Sequence, residues 1–280
     1  STLWFLIANK VYAKRYRDKS LLRKYKDNIQ RALTWLSYQD MGEDSMLEQQ
    51  PTSDWQDAFP HKYGHTINTQ ALYYHVLRLY GNNSEAKRLW NAVNKNKDDG
   101  LWNDKKGFYF PYRWKNHNKY KEIGDWFDSL GNLLAIVYEL ADKKQSNKIL
   151  DYIKRKKINK PFPVRAIDPP IDKKHKDWKD YYLDSDAGIP YHYLNAGIWT
   201  FIGGIYVCAL VKMKRFSEAE KELQKLAEAN LKKPFYSEWL HGKTGKPGVS
   251  GDSSDEGNQG WNAAMYVVAF ESVRRGKALA

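Results

Sequence analysis

"AGIWTFIGGIYVCALVKM", residues 196 to 213, is the longest apolar run in the chain, and how it is read decides the fold. It sits at the lower length limit for a membrane span, which takes about 17–25 predominantly apolar residues. Three glycines and a threonine interrupt it. A buried core helix is the reading that fits, and no membrane is expected. The segment that follows, near 217–230, is different in kind, with Lys221 and Lys225 recurring at helical spacing on a polar face.

That contrast repeats along the chain. A period near 3.6 marks helices at about 3–16, 20–37, 65–80, 84–96, 126–141, 145–157, 197–213, 217–230 and 260–275, and no strand-rich region competes with them. Ser84, Ser146 and Ser217 stand where N-caps belong, Glu220 completes a capping box with Ser217, and Gly81 and Gly276 fit helix stops. Helices beginning near 3, 65, 126, 197 and 260 are apolar nearly all round, whereas those near 20, 84, 145 and 217 are amphipathic. The first set is expected inside a ring of the second.

Connections alternate too. Each apolar helix passes to its amphipathic neighbour in about two to four residues, but the way back takes about 28–40, and loops of that length in a compact domain are usually functional. All the long loops therefore gather at one end, where the N-termini of the apolar helices point. Unpaired N–H groups and helix dipoles there favour anions and oxygen-rich ligands. The expected fold is all-α, a toroid of inner and outer helices forming one domain over 1–280. A small β-hairpin is expected in "GLWNDKKGFYFPYRW" (100–114).

With 280 residues, 11 Trp and 20 Tyr, the chain has ample material for a core and is no disordered segment. A formal charge of +13 raises nucleic acid as a partner. The lysines fall mostly on polar helix faces and in loops, as at Lys24, Lys26 and Lys154 to Lys157, so a solvated basic surface is expected and no nucleic-acid site. Cys208 is the single cysteine, which excludes an internal disulfide and fits a reducing, cytoplasmic setting.

The long loops carry carboxylates among aromatic rings. The first holds Asp54, Trp55, Asp57, His61 and His65, and the second Asp125, Trp126 and Asp128. "PYHYLNAGIW" (190–199) closes the third, and "YSEWLHGKTGKPG" (236–248) precedes "NQGWNAA" (258–264) in the fourth. Sugars present apolar ring faces to Trp and Tyr and hydroxyls to Asp, Glu, Asn and His, and a glycosidic bond needs two carboxyl groups. No HExxH, EF-hand, GxSxG, GxGxxG or Walker pattern is present, and Asp252 to Glu256 reads as a solvated loop, so neither metal nor cofactor is expected.

These loops resemble the (α/α)6-toroid glycoside hydrolases, the group of the glycogen-debranching amylo-α-1,6-glucosidase domain and the neutral/alkaline invertases. The resemblance rests on six collinear pieces: "STLWFLIANKVY" (1–12), "WQD" (55–57) with "GHTINTQALYY" (64–74), "FDSLGNLLAI" (127–136), "PYHYLNAGIW" (190–199), "SEWLHGKTG" (237–245) and "QGWNAA" (259–264). It implies Asp57 as general acid, Glu238 as general base and net inversion, with Asp54 a hydroxyl ligand and Trp55, Trp126, Tyr193, Asn195, Trp199, His241, Gln259 and Trp261 lining the site. Each of these tryptophans fits an ordinary core position equally well. It also implies six inner and six outer helices, so the five and four counted here correspond to a ring lacking its first three.

Two departures bear on substrate. Leu194-Asn195-Ala196-Gly197 stands where the family often has His-Asn-Gly-Gly, and Gly251 to Glu256 replaces a basic stretch of neutral invertases. They turn the expectation from sucrose towards α-glucosidic bonds of glucans or oligosaccharides. A sucrose-hydrolysing invertase and a non-catalytic carbohydrate-binding toroid stand as alternatives. As an acid, Asp57 is expected to be buried beside aromatics, which would raise its pKa.

Overall fold

The computed structural model describes residues 1–95, 99–116, 120–184, 188–250, 253–254 and 257–279. In chain order its α-helices are α1 (Thr2–Tyr16), α2 (Ser20–Lys24), α3 (Lys26–Ser37), α4 (Ile67–Leu79), α5 (Asn83–Lys95), α6 (Ser129–Val137), α7 (Lys143–Arg155), α8 (Thr200–Lys212), α9 (Phe216–Asn230) and α10 (Gly260–Arg275). α1, α4, α6, α8 and α10 pack side by side in that order, with α3, α5, α7 and α9 outside them. The fold is an all-α toroid of inner and outer helices. None of the described helices is long and apolar enough to cross a membrane.

Sequence explains the layering. Every residue of α6 is buried, as is nearly all of α8, so these helices have no face to give to water. α5 buries only Ala86, Leu89 and Val93, one stripe of an amphipathic helix. The glycines that interrupt the α8 run permit close approach: a Cβ on Gly204 would lie 2.7 Å from the Met265 carbonyl oxygen of α10, and one on Gly203 2.5 Å from that of Pro163.

Several boundaries differ from the periodicity. Residues 20–37 form two helices that break at Tyr25. The helix expected from 126 begins at Ser129, because Phe127 and Asp128 are extended and pair with Ile167 and Asp168. The cap of α7 is Asp142, whose reciprocal bonds with Gln145 satisfy two orphan N–H groups, and this leaves Ser146 inside the helix. α9 starts from Arg215, so Ser217 and Glu220 form no capping box. Ser84 likewise lies within α5 and bonds the Glu85 carboxylate. α1 and α10 are less buried than expected, with Trp4, Val11, Val267 and Phe270 exposed; each has an inner neighbour on one side only.

The expected hairpin forms from β2 (Trp102–Asn103) and β3 (Phe108–Tyr109). A second β-ribbon pairs β4 (Tyr112–Asn116) with β5 (Tyr120–Ile123), and β1 (His65–Thr66) joins its edge just before α4. The long connections thus lead into α4, α6, α8 and α10 at one end.

At the opposite, short-turn end, Arg78 of α4 and Lys212 of α8 both hold Glu139, each at 2.6 Å, and draw its carboxyl down to about 2. Beside them His75 stacks on Tyr138, ring centroids 4.0 Å apart. Burial, and after it the Arg78 charge, lowers the His75 imidazole from 6.5 to about 4. The unfolded chain therefore binds this proton at a pH where the folded chain refuses it, and stability falls as pH drops from 6.5 to about 4. At about 1.4 kcal/mol per unit, discounted for partial exposure, the loss is about 2 kcal/mol. His75→Phe keeps the stack and removes the proton: urea unfolding at pH 7 and pH 4.5 is expected to show a smaller acid loss in the variant by about that amount.

Candidate active site

A cavity of about 820 Å³ opens at the loop end of the inner helices. Four helices contribute pairs one turn apart to its wall: Asn68 and Leu72 from α4, Leu130 and Leu134 from α6, Phe201 and Ile205 from α8, Trp261 and Met265 from α10. Residues at i and i+4 share a helix face, so each of these helices turns the first two turns of one face to the cavity. α1 adds Thr2, Leu3 and Trp4 and α3 adds Trp35 and Leu36, and the loops bring Gln49, Asp54, Trp55, Asp57, Tyr193, Trp199 and Glu238.

One side is aromatic. The Trp55 ring meets Trp199 and Phe201 edge to face at 5.4 and 5.3 Å, and Trp261 lies 5.8 Å from Phe201. Tyr193 packs against Trp199 at 5.1 Å, and its backbone oxygen accepts the Trp199 indole N–H. The Trp55 indole nitrogen is buried with no protein partner.

Another side is polar. The Tyr193 hydroxyl bonds the Glu238 carboxylate, and its pKa is pushed up to about 12 by burial first and then by the charges of Glu238 and Asp57. Both carboxylates therefore act on one hydroxyl. Asp54 accepts the Gln56 N–H at 2.7 Å and the Gln49 amide at 3.0 Å, and pairs with Lys62 at 3.3 Å. Lys62 is fully buried, and its ammonium also meets Asp128 at 2.8 Å. Burial alone would lower its pKa, but Asp128 and Asp54 outweigh it and raise the value. Among the described residues no group of three or more His, Cys, Asp or Glu is placed to hold a metal ion.

The sequence pattern of alkaline and neutral invertases matches residues 122–275, more than half of the chain. The chain belongs to that family. A mitochondrial neutral/alkaline invertase 1 from Oryza sativa subsp. japonica is 25% identical over 232 residues, covering 66% of this chain and 36% of the relative. The chain thus spans about a third of that invertase's length. Among solved structures, a GH63 mannosylglycerate hydrolase from Thermus thermophilus, in complex with Tris and D-glycerate, superposes with a TM-score of 0.65 at 10% identity, covering 95% of this chain and 76% of that one. A rhamnosidase from Klebsiella oxytoca with rhamnose bound gives 0.61 at 13% identity, covering 98% and 46%. These two likenesses speak for the toroid fold alone.

Seven of the residues read from the sequence come together in this invertase-family chain: Asp54, Trp55, Asp57, Tyr193, Trp199, Glu238 and Trp261 all line the cavity. Four others do not, each because the fold uses it elsewhere. Trp126 is fully buried in the core. Asn195 is buried and bridges Ile171 and Gly188 through backbone groups. His241 accepts the N–H groups of Lys243 and Thr244 in a turn. Gln259 is the N-cap residue of α10. Asp57 is exposed rather than buried. Glu48, Gln49, Asn68, Thr69 and Lys62 escaped the sequence reading. Asn68 and Thr69 left a trace there, as polar residues in the first turn of a helix that then runs into Ala71 and Leu72.

The loop that carries Asp57 returns to β1 through Gly64, whose N–H and C=O both pair with Gln49. Its φ is +66°, and an added Cβ would sit 2.4 Å from the Arg113 carbonyl oxygen. Gly64→Ala therefore meets both left-handed strain, about 1–2 kcal/mol, and displacement of β4, about 1–3 kcal/mol. A loss of roughly 2–4 kcal/mol is expected, read as a lower denaturant midpoint at unchanged slope.

Proposed function

We propose that this chain is an inverting glycoside hydrolase in which Asp57 is the general acid and Glu238 the general base. What carries the reading is that the two carboxyls, far apart in the sequence, line one cavity and act on the same Tyr193 hydroxyl. Asp57 gives its proton to the glycosidic oxygen as the bond to the anomeric carbon breaks. Glu238 takes a proton from a water whose oxygen adds to that carbon from the opposite face. Such a pair works at roughly 6.5–9.5 Å, which leaves space for the water. The Tyr193 hydroxyl, donating to Glu238, fixes which oxygen is turned to that water. Because Asp57 is exposed in the free chain, the substrate itself supplies the desolvation that favours its protonated form.

Membership of the invertase family supports sucrose as the first substrate. The Leu194 to Gly197 departure, which pointed away from sucrose, gives no residue to the cavity wall. The other departure, Gly251 to Glu256, lies outside the described residues apart from the backbone of Ser253 and Ser254. The cavity volume favours a second reading, an α-glucosidic oligosaccharide: about 820 Å³ lies high in the usual range of small-molecule sites, about 300–1,000 Å³. The aromatic wall offers stacking faces, and the unpartnered Trp55 N–H a donor. A single, buried cysteine, Cys208, fits a reducing compartment such as the cytoplasm.

Sucrose and a branched limit dextrin, each followed by anomer-resolved NMR of the first product, test the reading. Inversion is expected, with Asp57→Asn and Glu238→Gln each lowering kcat by about 10²–10⁴. Tyr193→Phe removes a hydrogen bond to a charged group, about 1.5–3 kcal/mol, so kcat should fall roughly 10- to 100-fold. Retention of configuration, or full turnover in both carboxyl variants, would remove the mechanism. Sugar binding without any product would mark a carbohydrate-binding toroid instead.

A further inference from the structure

The loop that carries Asp57 is anchored by a charge that lies beneath the cavity and not in its wall. Lys62 has no exposed side-chain surface, and its ammonium lies 2.8 Å from Asp128, 3.2 Å from the Asn68 amide oxygen and 3.3 Å from Asp54. An ammonium has three N–H donors, and here it meets three acceptors. The partners come from three places. Asp128 is the N-cap of α6, where it also accepts the Gly131 N–H. Asn68 stands in the first turn of α4. Asp54 belongs to the cavity wall.

Two carboxylates share this one ammonium almost out of water. A buried ionic cluster is a poor source of stability compared with apolar packing of the same volume, because desolvation opposes the attraction. Geometry shows what it does provide. One oxygen of Asp54 takes the Gln49 amide and the Lys62 ammonium, and the other takes the Gln56 N–H. A carboxylate offers about four acceptor sites. Three are occupied by groups of the protein, and one is left on a residue that lines the cavity.

We propose that Lys62 is a positioning residue for sugar recognition: it locks the Asp54 carboxylate to the N-termini of α4 and α6 so that its one free acceptor site receives a sugar hydroxyl. This rests on the reading of the cavity as a sugar site. Asp54 touches the sugar, and Lys62 acts only through it.

Calorimetric binding of sucrose and, in parallel, maltotriose to the full chain carrying Glu238→Gln tests this without turnover. Asp54→Asn and Lys62→Gln are each expected to weaken binding about tenfold, and the two together by little more than either alone, because both remove one contact. In the chain with Glu238 intact, KM should rise with kcat changed less than about threefold, since the lost contact is uniform binding; a general loosening of the loop would lower kcat through Asp57. Asp54→Asn takes one of two carboxylates from a cluster with one ammonium, so it should fold and report even where Lys62→Gln does not. Unchanged affinity in folded Asp54→Asn or Lys62→Gln would overturn the proposal, as would losses that multiply to about a hundredfold. A Glu238→Gln reference that binds neither sugar removes the proposal together with the reading of the site on which it stands.

Discussion

Helices α6 and α8 have almost no polar face, and everything else in the structure follows from hiding them. A helix that is apolar all round is stable in water only when neighbours cover it on every side. Here inner helices cover the flanks and amphipathic helices cover the outside. Such packing needs near contact between backbones, and Gly203 and Gly204 of α8 supply it where side chains would hold Pro163 and Met265 away. Dense contact leaves no room for chemistry in the middle of the layer. The cavity lies at its end, where the helices stop and loops begin.

Direction along the helices then separates two environments. At the short-turn end, the ionic knot of Glu139 with Arg78 and Lys212 ties α4, α6 and α8 across the surface. At the loop end, the N-termini of α4, α6, α8 and α10 converge, and the residues just before them come from long segments able to carry carboxylates and rings into one space. Asp57 and Glu238 meet there because the loops leading into α4 and α10 both end at the cavity, although α6 and α8 stand between those two helices in the row. Their shared influence on Tyr193 expresses topology, not sequence proximity.

Much of this was legible in the sequence. The alternation of apolar and amphipathic helices, the short and long connections and the β2–β3 hairpin all follow from period and composition, and so does the gathering of loop carboxylates and aromatics at one end; Asp57 and Glu238 are singled out among them by the family resemblance, and both line the cavity. What escaped was local competition. Asp142 outcompeted Ser146 as a cap because its partner Gln145 stands three residues on. Trp126, Asn195, His241 and Gln259 sit in the right loops but hold those loops together, and a linear pattern does not separate a residue that shapes a wall from one that forms its surface. Lys62 was invisible for a related reason. A lysine in a polar loop reads as solvated, and only the fold brings Asp128, from the next inner helix, to pair with it.

The one-turn spacing of the wall pairs divides the cavity into storeys. Asn68, Leu130, Phe201 and Trp261 form the upper storey, and Leu72, Leu134, Ile205 and Met265 the lower. The polar and ring-stacking groups of these pairs, Asn68, Phe201 and Trp261, belong to the upper storey beside Leu130, while the storey beneath is wholly aliphatic or thioether and packs into the core. A change upstairs therefore alters which molecule is recognised and leaves the interior alone. A change downstairs alters the depth to which a guest can sink and disturbs the helix contacts that keep the building standing.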